Sequence, residues 1–402
     1  MNILLIDHYA GTPELGMEYR PYYMAKEWIK RGHHVLVVGA TYSHLRKKQP
    51  QKGEEIIDGV RYYWIKTNQY KNNGIRRIYS IFLFVLKLRF SLLEICNQFV
   101  PDVVIASSTY PFDIYPAKRI ARKFKAKLFY EVHDLWPLSP IELGGYSKWH
   151  PFILIMQKAE NDAYRYCNQV ISLLPNALEH MIEHGLSKDK FVYVPNGYVE
   201  DEWFNKEKLS ISYKNYFENL KRNGKKILGY AGGHAKSNAL DYLLDAMKLI
   251  KIRDVICVMV GKGQEKERLM KRVENEEIQN VFFLDPVSKL EIPSLLSYMD
   301  VLYIGWENNP LYRFGISPNK LIDYMLSAKP ILHSVNAAND WVAETNCGIS
   351  VMAESPQEIA KGIDYLFSLD DSILHEMGQR GYLYASENLN YSFLAEKCLS
   401  IF

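Results

Sequence analysis

The residues between 299 and 334 include a group that could bind an anion. A short apolar run, Val301–Gly305, predicts a buried strand of a parallel sheet, and Ser317, Pro318, Asn319 and Lys320 follow it. Ser317 suits the cap of a helix and Pro318 suits its first position. The N–H groups and dipole at such a helix start favour phosphate, and parallel sheets bind ligands where their strands end. The pattern therefore predicts a nucleotide-diphosphate pocket.

Three charged side chains belong to the same segment. Arg313 and Lys320 would add positive charge beside the phosphates, and Asp323 lies one turn further along the predicted helix. The alternative for Lys320 is a surface pair with Asp323, since residues three apart are neighbours on a helix. Because preorganised donors and cations stabilise negative charge on a diphosphate, we expect Lys320 to contribute to catalysis.

A glycine pair is a second candidate for phosphate binding. Gly232 and Gly233 follow the apolar run Ile227–Tyr230, and His234 and Lys236 come shortly after them. A glycine loop at a strand end can present backbone N–H groups to phosphate, and Lys236 would add a catalytic positive charge. An ordinary strand-to-helix turn is the alternative interpretation.

His133 and Asp134 could act on a hydroxyl group. They follow the predicted strand Leu128–Glu131, so we expect them at the ligand-binding end of the sheet. A histidine beside a carboxylate can deprotonate or position a hydroxyl group. A purely structural hydrogen bond between the two side chains is the alternative.

Short apolar runs alternate with helical patterns along the whole chain, which predicts an α/β fold with doubly wound parallel sheets. The segment Gly59–Ile65 alternates polar and apolar residues, as an edge or antiparallel strand would. The polar stretch 205–226 predicts a domain boundary. We therefore expect an N-terminal domain at 1–205, a second domain at 206–385, and a C-terminal helix at 386–402 that packs back on the first domain.

Composition supports a two-domain protein of a reducing compartment. The chain has 402 residues, and its five cysteines are far apart without a Cys-x-x-Cys motif, which disfavours a disulfide framework or a cysteine zinc site. The opening segment is already a strand and a loop, and it shows no export signal. Nothing in the composition indicates nucleic-acid binding, and the oligomeric state stays open.

The formal charge of +3 conceals an asymmetry between the two parts of the chain. Residues 1–130 contain 21 basic and 10 acidic residues, and the remainder carries a net −8. This distribution indicates that the N-terminal domain meets an anionic surface or ligand, although a solvated face is the alternative.

The segment Arg76–Ile95 is aromatic and basic, but it is interrupted by charges and is too short to cross a bilayer. Together with nearby basic residues such as Lys71, it predicts a helix in the interface of an anionic membrane. A core helix with snorkelling basic side chains is the alternative.

Three motifs in order resemble the retaining glycosyltransferases of the GT-B fold, family 4. They are Pro195-Asn196-Gly197, Gly261-Lys262-Gly263, and Ser317–Lys320 followed by Asp323-Tyr324-Met325. The opening segment, which contains HYAG and GMEYRPYY, resembles a subgroup of bacterial surface-polysaccharide enzymes that includes N-acetyl-fucosamine transferases of O-antigen assembly.

The resemblance implies two Rossmann-like domains that face each other across a cleft, with the nucleotide-sugar, UDP-linked in our expectation, on the second domain. Asp323 takes the place of the family's ribose-binding glutamate, and Gly315 takes the place of its first signature glutamate, so the N–H groups of Gly315 and Ile316 would serve instead. Gly233 and Asn238 occupy the places of the family's basic pair, an arginine and a lysine, which leaves Lys236 as the nearest substitute. Val287 would contact the uracil through its backbone.

A set of residues should border or hold the acceptor sugar: Gly11, Gly16, Met17, Glu18, Arg20, His133 and Asp134. Within this set, Glu18 is a second candidate base. Arg20 is expected either to bind a phosphate of the acceptor or to cap its own helix. In the family no protein nucleophile is firmly assigned, and the donor phosphate is favoured to take the acceptor proton.

The expected function is retaining, metal-independent hexosyl transfer to a polyprenyl-diphosphate-linked saccharide during O-antigen or capsule synthesis. No Asp-x-Asp motif occurs in the sequence, so we expect neither a metal nor another cofactor. The expected location is cytoplasmic and peripheral, on the inner face of the plasma membrane. The alternatives are a GT-B sugar-nucleotide 2-epimerase and a non-catalytic sugar-nucleotide-binding protein.

Overall fold

The chain folds into two compact units, according to a computed structural model that describes residues 1–70 and 74–402. The first unit comprises Met1–Asn196 with Tyr391–Phe402, and the second comprises Gly197–Asn390. Lys71, one of the basic residues assigned above to a membrane-binding segment, lies outside the described residues.

The first unit is a sheet of eight strands covered by helices. In chain order its elements are β1 (Asn2–Ile6), α1 (Arg20–Lys30), β2 (His34–Ala40), β3 (Gly53–Ile57), β4 (Val60–Ile65), α2 (Ile75–Gln98), β5 (Val103–Ala106), α3 (Ile114–Phe124), β6 (Lys127–Val132), α4 (Leu138–Glu142), α5 (Pro151–Tyr166), β7 (Gln169–Ser172), α6 (Leu178–Glu183) and β8 (Phe191–Tyr193).

The second unit contains a sheet of six parallel strands. Its elements are α7 (Glu200–Phe204), α8 (Ile211–Arg222), β9 (Lys226–Ala231), α9 (Leu240–Leu249), β10 (Val255–Val260), α10 (Lys266–Asn275), β11 (Val281–Leu284), α11 (Ile292–Ser297), β12 (Val301–Gly305), α12 (Asn319–Leu326), β13 (Ile331–Ser334), α13 (Trp341–Thr345), β14 (Gly348–Val351), α14 (Pro356–Ser368) and α15 (Asp371–Asn388). A last helix, α16 (Tyr391–Leu399), belongs to the first unit.

Both sheets have a topological switch point, where the strand order reverses. The first sheet has the order β3-β4-β2-β1-β5-β6-β7-β8, and the second has the order β11-β10-β9-β12-β13-β14. Neighbouring strands are parallel except β3 and β4. Crossover helices on both faces bury the apolar strands, as a doubly wound sheet requires. Ligands of such sheets bind beyond the strand ends at the switch point, here after β1 and β5 and after β9 and β12.

The segment 59–65, expected to be an edge or antiparallel strand, is an interior strand with one antiparallel neighbour. β4 pairs with β2 in parallel, from Leu36 opposite Arg61 to Ala40 opposite Ile65, and with β3 in antiparallel fashion. The edge is β3, whose two central glutamates gave no strand signal in the sequence. The alternation in β4 reflects burial that differs between its two faces, rather than an edge position.

The polar stretch 205–226 is not an open linker, because most of it forms α8. Phe217 of this helix is completely buried in the core of the second unit. The change of unit falls earlier, between Asn196 and Gly197. At the other end of the chain, α16 packs on α1, and Trp28 Nε1 donates a hydrogen bond to the Ala395 carbonyl over 3.2 Å.

In the described part of the chain, no helix combines the length and apolar character needed to span a membrane.

Candidate active site

A polar cavity of about 230 Å³ lies in the first unit, beyond the ends of β1, β5 and β6. Its lining includes one residue after each of these strands, namely Asp7, Ser107 and His133. Asp134 and Glu18 also line it, so the structure brings three predicted acceptor residues together. A cavity at the switch point with several ionisable groups has the features of a ligand site.

Beneath this cavity, charged side chains form a buried hydrogen-bonded chain. Arg20 Nε lies 2.9 Å from Glu131 Oε1, and both side chains are at least 95% buried. The other oxygen of Glu131 accepts a hydrogen bond from Ser107 Oγ over 2.6 Å and lies 3.4 Å from His133 Nε2. Ser107 Oγ is also 3.0 Å from the same His133 nitrogen. Glu131 therefore joins a buried arginine to the histidine of the cavity.

The predicted role of Arg20 as a phosphate ligand or helix cap is wrong. Its guanidinium is 1% exposed and donates to Glu131, to the Pro195 carbonyl over 2.5 Å and to the Val194 carbonyl over 3.1 Å. Every nitrogen of the guanidinium is thus engaged by groups of the first unit. Arg20 fixes Glu131 and the end of β8 and does not bind an acceptor itself.

His133 does not fit the role of a general base, and its partner is Glu131 instead of Asp134. Burial alone would lower the pKa of His133, but the hydrogen bond and charge of Glu131, with Glu18 and Asp7 nearby, raise it to about 9. The imidazole is therefore protonated at pH 7 and can position an acceptor or stabilise negative charge. Asp134 is exposed, and no hydrogen bond joins it to His133, so the expected structural His–Asp bond is absent from the described residues.

Asp7 is a site residue that the sequence analysis missed. Its Oδ1 accepts a hydrogen bond from the Tyr9 N–H over 2.8 Å, while Oδ2 is buried and has no partner among the described residues. Burial, with Glu18 and Glu131 adding to it, raises the pKa of Asp7 to about 7, and burial likewise raises the pKa of Glu18. Asp7 directly follows the first strand, where parallel sheets bind ligands, and this position could have identified it from the sequence.

The glycine loop shapes this cavity without lining it. A Cβ at Gly11 would overlap the Gly16 carbonyl oxygen, and Gly16 has a φ of +117°, which favours glycine. The loop closes through a hydrogen bond from the Gly11 N–H to the Glu18 carbonyl over 2.8 Å. Met17 remains 42% exposed beside Glu18.

Arg77 belongs to the cavity, although the sequence analysis placed it in a basic membrane-binding segment. Its Nε donates to the Tyr9 hydroxyl over 3.2 Å, and its guanidinium lies over the rings of Tyr9 and Trp136 at 5.4 and 5.7 Å from their centroids. Arg77 and Trp136 both line the cavity, which therefore offers a cation and an aromatic surface.

The second unit holds a lysine in an unusual environment. Lys320, at the start of α12, donates from Nζ to the Tyr230 hydroxyl over 2.9 Å and to Asn238 Oδ1 over 2.7 Å. Burial lowers the pKa of Lys320 to about 7. The expected alternative, an ion pair with Asp323, does not form, since the ammonium group instead faces two neutral oxygens.

The glycine pair makes room for Lys320. A Cβ at Gly232 would lie 2.6 Å from Lys320 Cε, so only glycine permits this approach. The Gly233 carbonyl accepts from the Tyr230 hydroxyl over 2.5 Å and from Asn238 Nδ2 over 3.0 Å. The N–H of Gly233 has no acceptor in the described part of the chain. The loop is therefore fixed by Tyr230 and Asn238, the same two residues that hold the Lys320 ammonium group.

The Gly261–Gly263 loop packs against this pair. A Cβ at Gly261 would overlap the Gly232 carbonyl, and a Cβ at Gly263 would overlap the backbone of His234. The His234 side chain is fully buried, and neither ring nitrogen has a partner among the described residues. Burial, together with Lys266 and Lys320, lowers the pKa of His234 to about 4, so the ring is neutral.

The structure does not group Lys236 with Lys320. Its side chain is 86% exposed, and its ammonium group lies 3.9 Å from the Glu307 carboxylate. Asn238, rather than Lys236, contacts Lys320. Arg313 is also directed elsewhere, since its Nη1 donates to the Pro310 carbonyl of its own turn over 2.6 Å.

The amides expected to replace the missing glutamate are already engaged. The Gly315 N–H donates to the Tyr312 carbonyl over 3.0 Å, and the Ile316 N–H donates to Asn339 Oδ1 over 2.7 Å. Helix α12 also begins one residue later than predicted, with Pro318 at the cap position and no capping bond from a side chain. Ser317 is therefore not the cap. Asn319, exposed, is the first helical residue.

Asp323 and Val287 lie in the same unit as the Lys320 group. Burial raises the pKa of Asp323 to about 6, with Lys289 lowering it and Glu202 raising it. Val287 is partly buried against the core on the α11 and α12 side of the sheet.

Trp306, after β12, is a further residue that the sequence analysis missed. Its Nε1 donates to His333 Nε2 over 3.0 Å, and His333 Nδ1 is 2.8 Å from Asp340. These two hydrogen bonds fix the indole of Trp306, whose ring centroid is 5.9 Å from Lys320 Nζ. The position after a strand at the switch point could have identified it.

Two family models match the chain. Residues 16–202 match the model described as Glycosyltransferase Family 4, and residues 213–384 match the model described as Glycosyl transferases group 1. No curated protein matches the chain.

Several solved structures share the fold. HepE of Anabaena in complex with UDP is 14% identical, with a TM-score of 0.69 over 100% of this chain and 99% of that one. Sucrose-phosphate synthase from Thermosynechococcus elongatus is 14% identical, with a TM-score of 0.74 over 100% of this chain and 98% of that one. WaaG, a glycosyltransferase involved in lipopolysaccharide biosynthesis, is 13% identical, with a TM-score of 0.66 over 100% of this chain and 99% of that one.

The matched models and the fold define a glycosyltransferase of the GT-B class, which confirms the predicted pair of Rossmann-like α/β domains. Within that class the chain is family 4-like. The matches favour a glycosyltransferase over a 2-epimerase or a non-catalytic binding protein. The N-acetyl-fucosamine transferase subgroup stays a prediction.

Replacing Glu131 with glutamine should destabilise the first unit, because the variant leaves the buried Arg20 charge without its counterion. We expect a loss of roughly 3–5 kcal/mol in the free energy of unfolding, measured by urea denaturation at pH 7. The control is Glu54→Gln, which removes an exposed pair with Arg61 and should change stability by roughly 0–1 kcal/mol. Equal effects of the two substitutions would contradict the structural role of the buried pair.

The contact between Glu131 and His133 also predicts that the stability of the first unit depends on pH. The pKa of His133 is raised from 6.5 to about 9, so its contribution to stability is fully present below pH 6.5 and is lost as the pH rises through 9. An NMR titration of His133 should give a midpoint near 9 in the wild type and a lower midpoint in Glu131→Gln. A midpoint near 6.5 in the wild type would refute the coupling.

Proposed function

We propose that the protein is a retaining glycosyltransferase that moves a hexosyl group from a UDP-sugar to a lipid-linked saccharide during the synthesis of a bacterial surface polysaccharide. The observation that carries the donor half of this proposal is Lys320, a desolvated lysine that faces two neutral oxygens at the switch point of the second sheet.

The donor diphosphate would bind where Lys320 and the Gly233 N–H point. A partly buried ammonium group that faces only neutral oxygens is unfavourable until an anion neutralises it, so the site is preorganised for negative charge. Tyr230 and Asn238 hold both the ammonium group and the Gly233 carbonyl, which fixes their mutual geometry. In this proposal the protein neutralises the departing diphosphate without a divalent ion.

The rest of the nucleotide-sugar would extend along the same edge of the second sheet. Asp323, one turn after Lys320, would accept hydrogen bonds from the ribose hydroxyls. Val287 would contact the base through its backbone. The complexes of HepE with UDP and with UDP-glucose support the choice of a uridine nucleotide.

The acceptor would occupy the cavity of the first unit. Protonated His133 and Arg77 supply positive charge there, which suits an acceptor that carries a diphosphate. The carboxyl groups of Asp7 and Glu18 can accept hydrogen bonds from sugar hydroxyls, and Trp136 offers an aromatic face for a sugar ring. Because His133 is already protonated, the donor phosphate is the better acceptor for the proton of the attacking hydroxyl.

A lipid-linked acceptor requires that the enzyme meet a membrane surface, and α2 offers a suitable face. Tyr79, Phe82, Leu86 and Phe90 recur at helical spacing and are 56%, 42%, 54% and 67% exposed. Exposed Arg89 lies within this stretch of the helix. An apolar face with basic residues beside it binds anionic bilayers from the cytoplasmic side without crossing them.

Lys320→Ala tests the donor site. Loss of a charged donor should weaken UDP binding by roughly 10- to 100-fold in calorimetry and lower transfer by roughly 100-fold or more. The control is Lys361→Ala, an exposed lysine of the same unit that pairs with Glu358 and should bind UDP normally. Wild-type affinity in Lys320→Ala would refute the proposed site.

Donor binding should also take up a proton. The pKa of free Lys320 is about 7, so at pH 8 the side chain is mostly neutral, and a bound diphosphate would raise its pKa and protonate it. UDP-glucose, whose diphosphate has no group titrating near pH 7, is the proper ligand. Calorimetry in buffers of different ionisation enthalpy should show uptake at pH 8, little uptake at pH 6, and none in Lys320→Met. Uptake that is unchanged in the variant would assign the proton to another group.

Membrane binding is tested with Leu86→Ser and Phe90→Ser combined. Removal of two exposed apolar side chains should lower binding to anionic vesicles by roughly tenfold or more, because each contributes burial energy in the interface. UDP binding should persist, which shows that the variant is folded. The control is Ile211→Ser, which removes an exposed isoleucine from the second unit. Equal vesicle binding by all three proteins would exclude the α2 face.

A further inference from the structure

Two histidines and a glutamate form a cluster in the first unit, apart from the residues that line the cavity. Glu160 of α5, His180 of α6 and His184, directly after α6, each offer one ligand atom, and these atoms lie within 4.8 Å of one another. His180 and His184 are four residues apart, so their rings share one helix face, with centroids 4.5 Å apart. Two such histidines with a carboxylate from elsewhere form a common set of zinc ligands.

Glu160 brings a buried negative charge to this cluster. The Glu160 side chain is 1% exposed, and in residues 1–70 and 74–402 no lysine or arginine forms an ion pair with it. Its Oε1 accepts a hydrogen bond from the Tyr164 hydroxyl over 2.9 Å, and its Oε2 accepts one from Gln157 Nε2 over 2.7 Å. The group that can compensate this carboxylate is His180, whose Nε2 is 3.3 Å from Glu160 Oε1, and a metal ion bound by both side chains would supply the positive charge in place of a proton.

One pair of these ligand atoms has the spacing that a tetrahedral zinc ion requires. Zn²⁺ binds imidazole nitrogen and carboxylate oxygen at about 2.0–2.1 Å, which places two such ligands about 3.3 Å apart. His180 Nε2 and Glu160 Oε1 are 3.3 Å apart. The ion would take the place of a proton shared between them. Gln157 Nε2 lies 3.0 Å from His184 Nδ1 and donates to Glu160 Oε2, so this amide holds the second histidine beside the carboxylate.

We propose that Glu160, His180 and His184 form a structural binding site for Zn²⁺ that fastens α6 to α5. Helix α6 lies between β7 and β8, so the ion would stabilise that end of the first sheet. The sequence analysis found no cysteine zinc site and expected no metal, because it considered cysteine and Asp-x-Asp motifs. The spacing of His180 and His184 was the signal it did not use.

The test is a calorimetric titration of the full chain, stripped of metal with EDTA, with zinc chloride. We expect one ion per chain and an affinity lower by roughly 100-fold or more in His180→Gln and in His184→Gln. The control is His375→Gln, which removes an exposed histidine of α15 and should bind zinc as the wild type does. Equal zinc binding by all four proteins, or no binding at one equivalent, would overturn the proposal.

Two further measurements do not require that the histidine variants fold like the wild type. They are the visible absorption spectrum with Co²⁺ and the melting temperature with Zn²⁺. One equivalent of Co²⁺ should give the visible absorption bands of a four-coordinate site in the wild type, and Zn²⁺ should raise the melting temperature of the wild type but not of Glu160→Gln. Visible bands that are absent from the wild type would show that the cluster is a hydrogen-bonded network only.

Discussion

The donor half of this account depends on the desolvated ammonium group of Lys320. It lies at the start of α12, held by the hydroxyl of Tyr230 and the amide oxygen of Asn238, with no carboxylate in contact. Placing a cation against neutral partners with little water is unfavourable in free energy, and this unfavourable term remains until an anion binds. A Cβ at Gly232 would lie 2.6 Å from Lys320 Cε, so a larger residue there would displace the lysine side chain from this position.

The first unit uses the opposite arrangement, in which buried charges are already paired. Arg20 compensates Glu131, and Glu131 in turn keeps His133 protonated at the cavity wall. The result is a fixed cation beside carboxyl groups of raised pKa, Asp7 among them. An acceptor with both a phosphate and hydroxyl groups meets complementary groups in this cavity. In the proposed mechanism the two units would therefore bind anions by different means. The second would use an ammonium group that has no counterion, and the first would use a histidine whose charge Glu131 compensates.

The sequence predicted most of the strands and the pair of α/β units, because apolar periodicity and strand-end positions are local signals. The functional role of Lys320 stays a prediction. It could not predict that Arg20 is structural, since the carbonyls it binds lie in residues 194 and 195. It also assigned the N–H groups of Gly315 and Ile316 to a ligand, although the side chain of Asn339 engages one of them. Contacts between residues distant in sequence decided each of these cases. Strand β3 was missed because its exposed glutamates hide the pattern of an edge strand.

The most direct test of the central claim is a crystal structure of the protein with UDP. The account predicts that the two phosphates lie within hydrogen-bonding distance of Lys320 Nζ and the Gly233 N–H, and that the ribose hydroxyls face Asp323. A nucleotide bound elsewhere, or a divalent ion that bridges the phosphates while Lys320 remains on Tyr230 and Asn238, would contradict it.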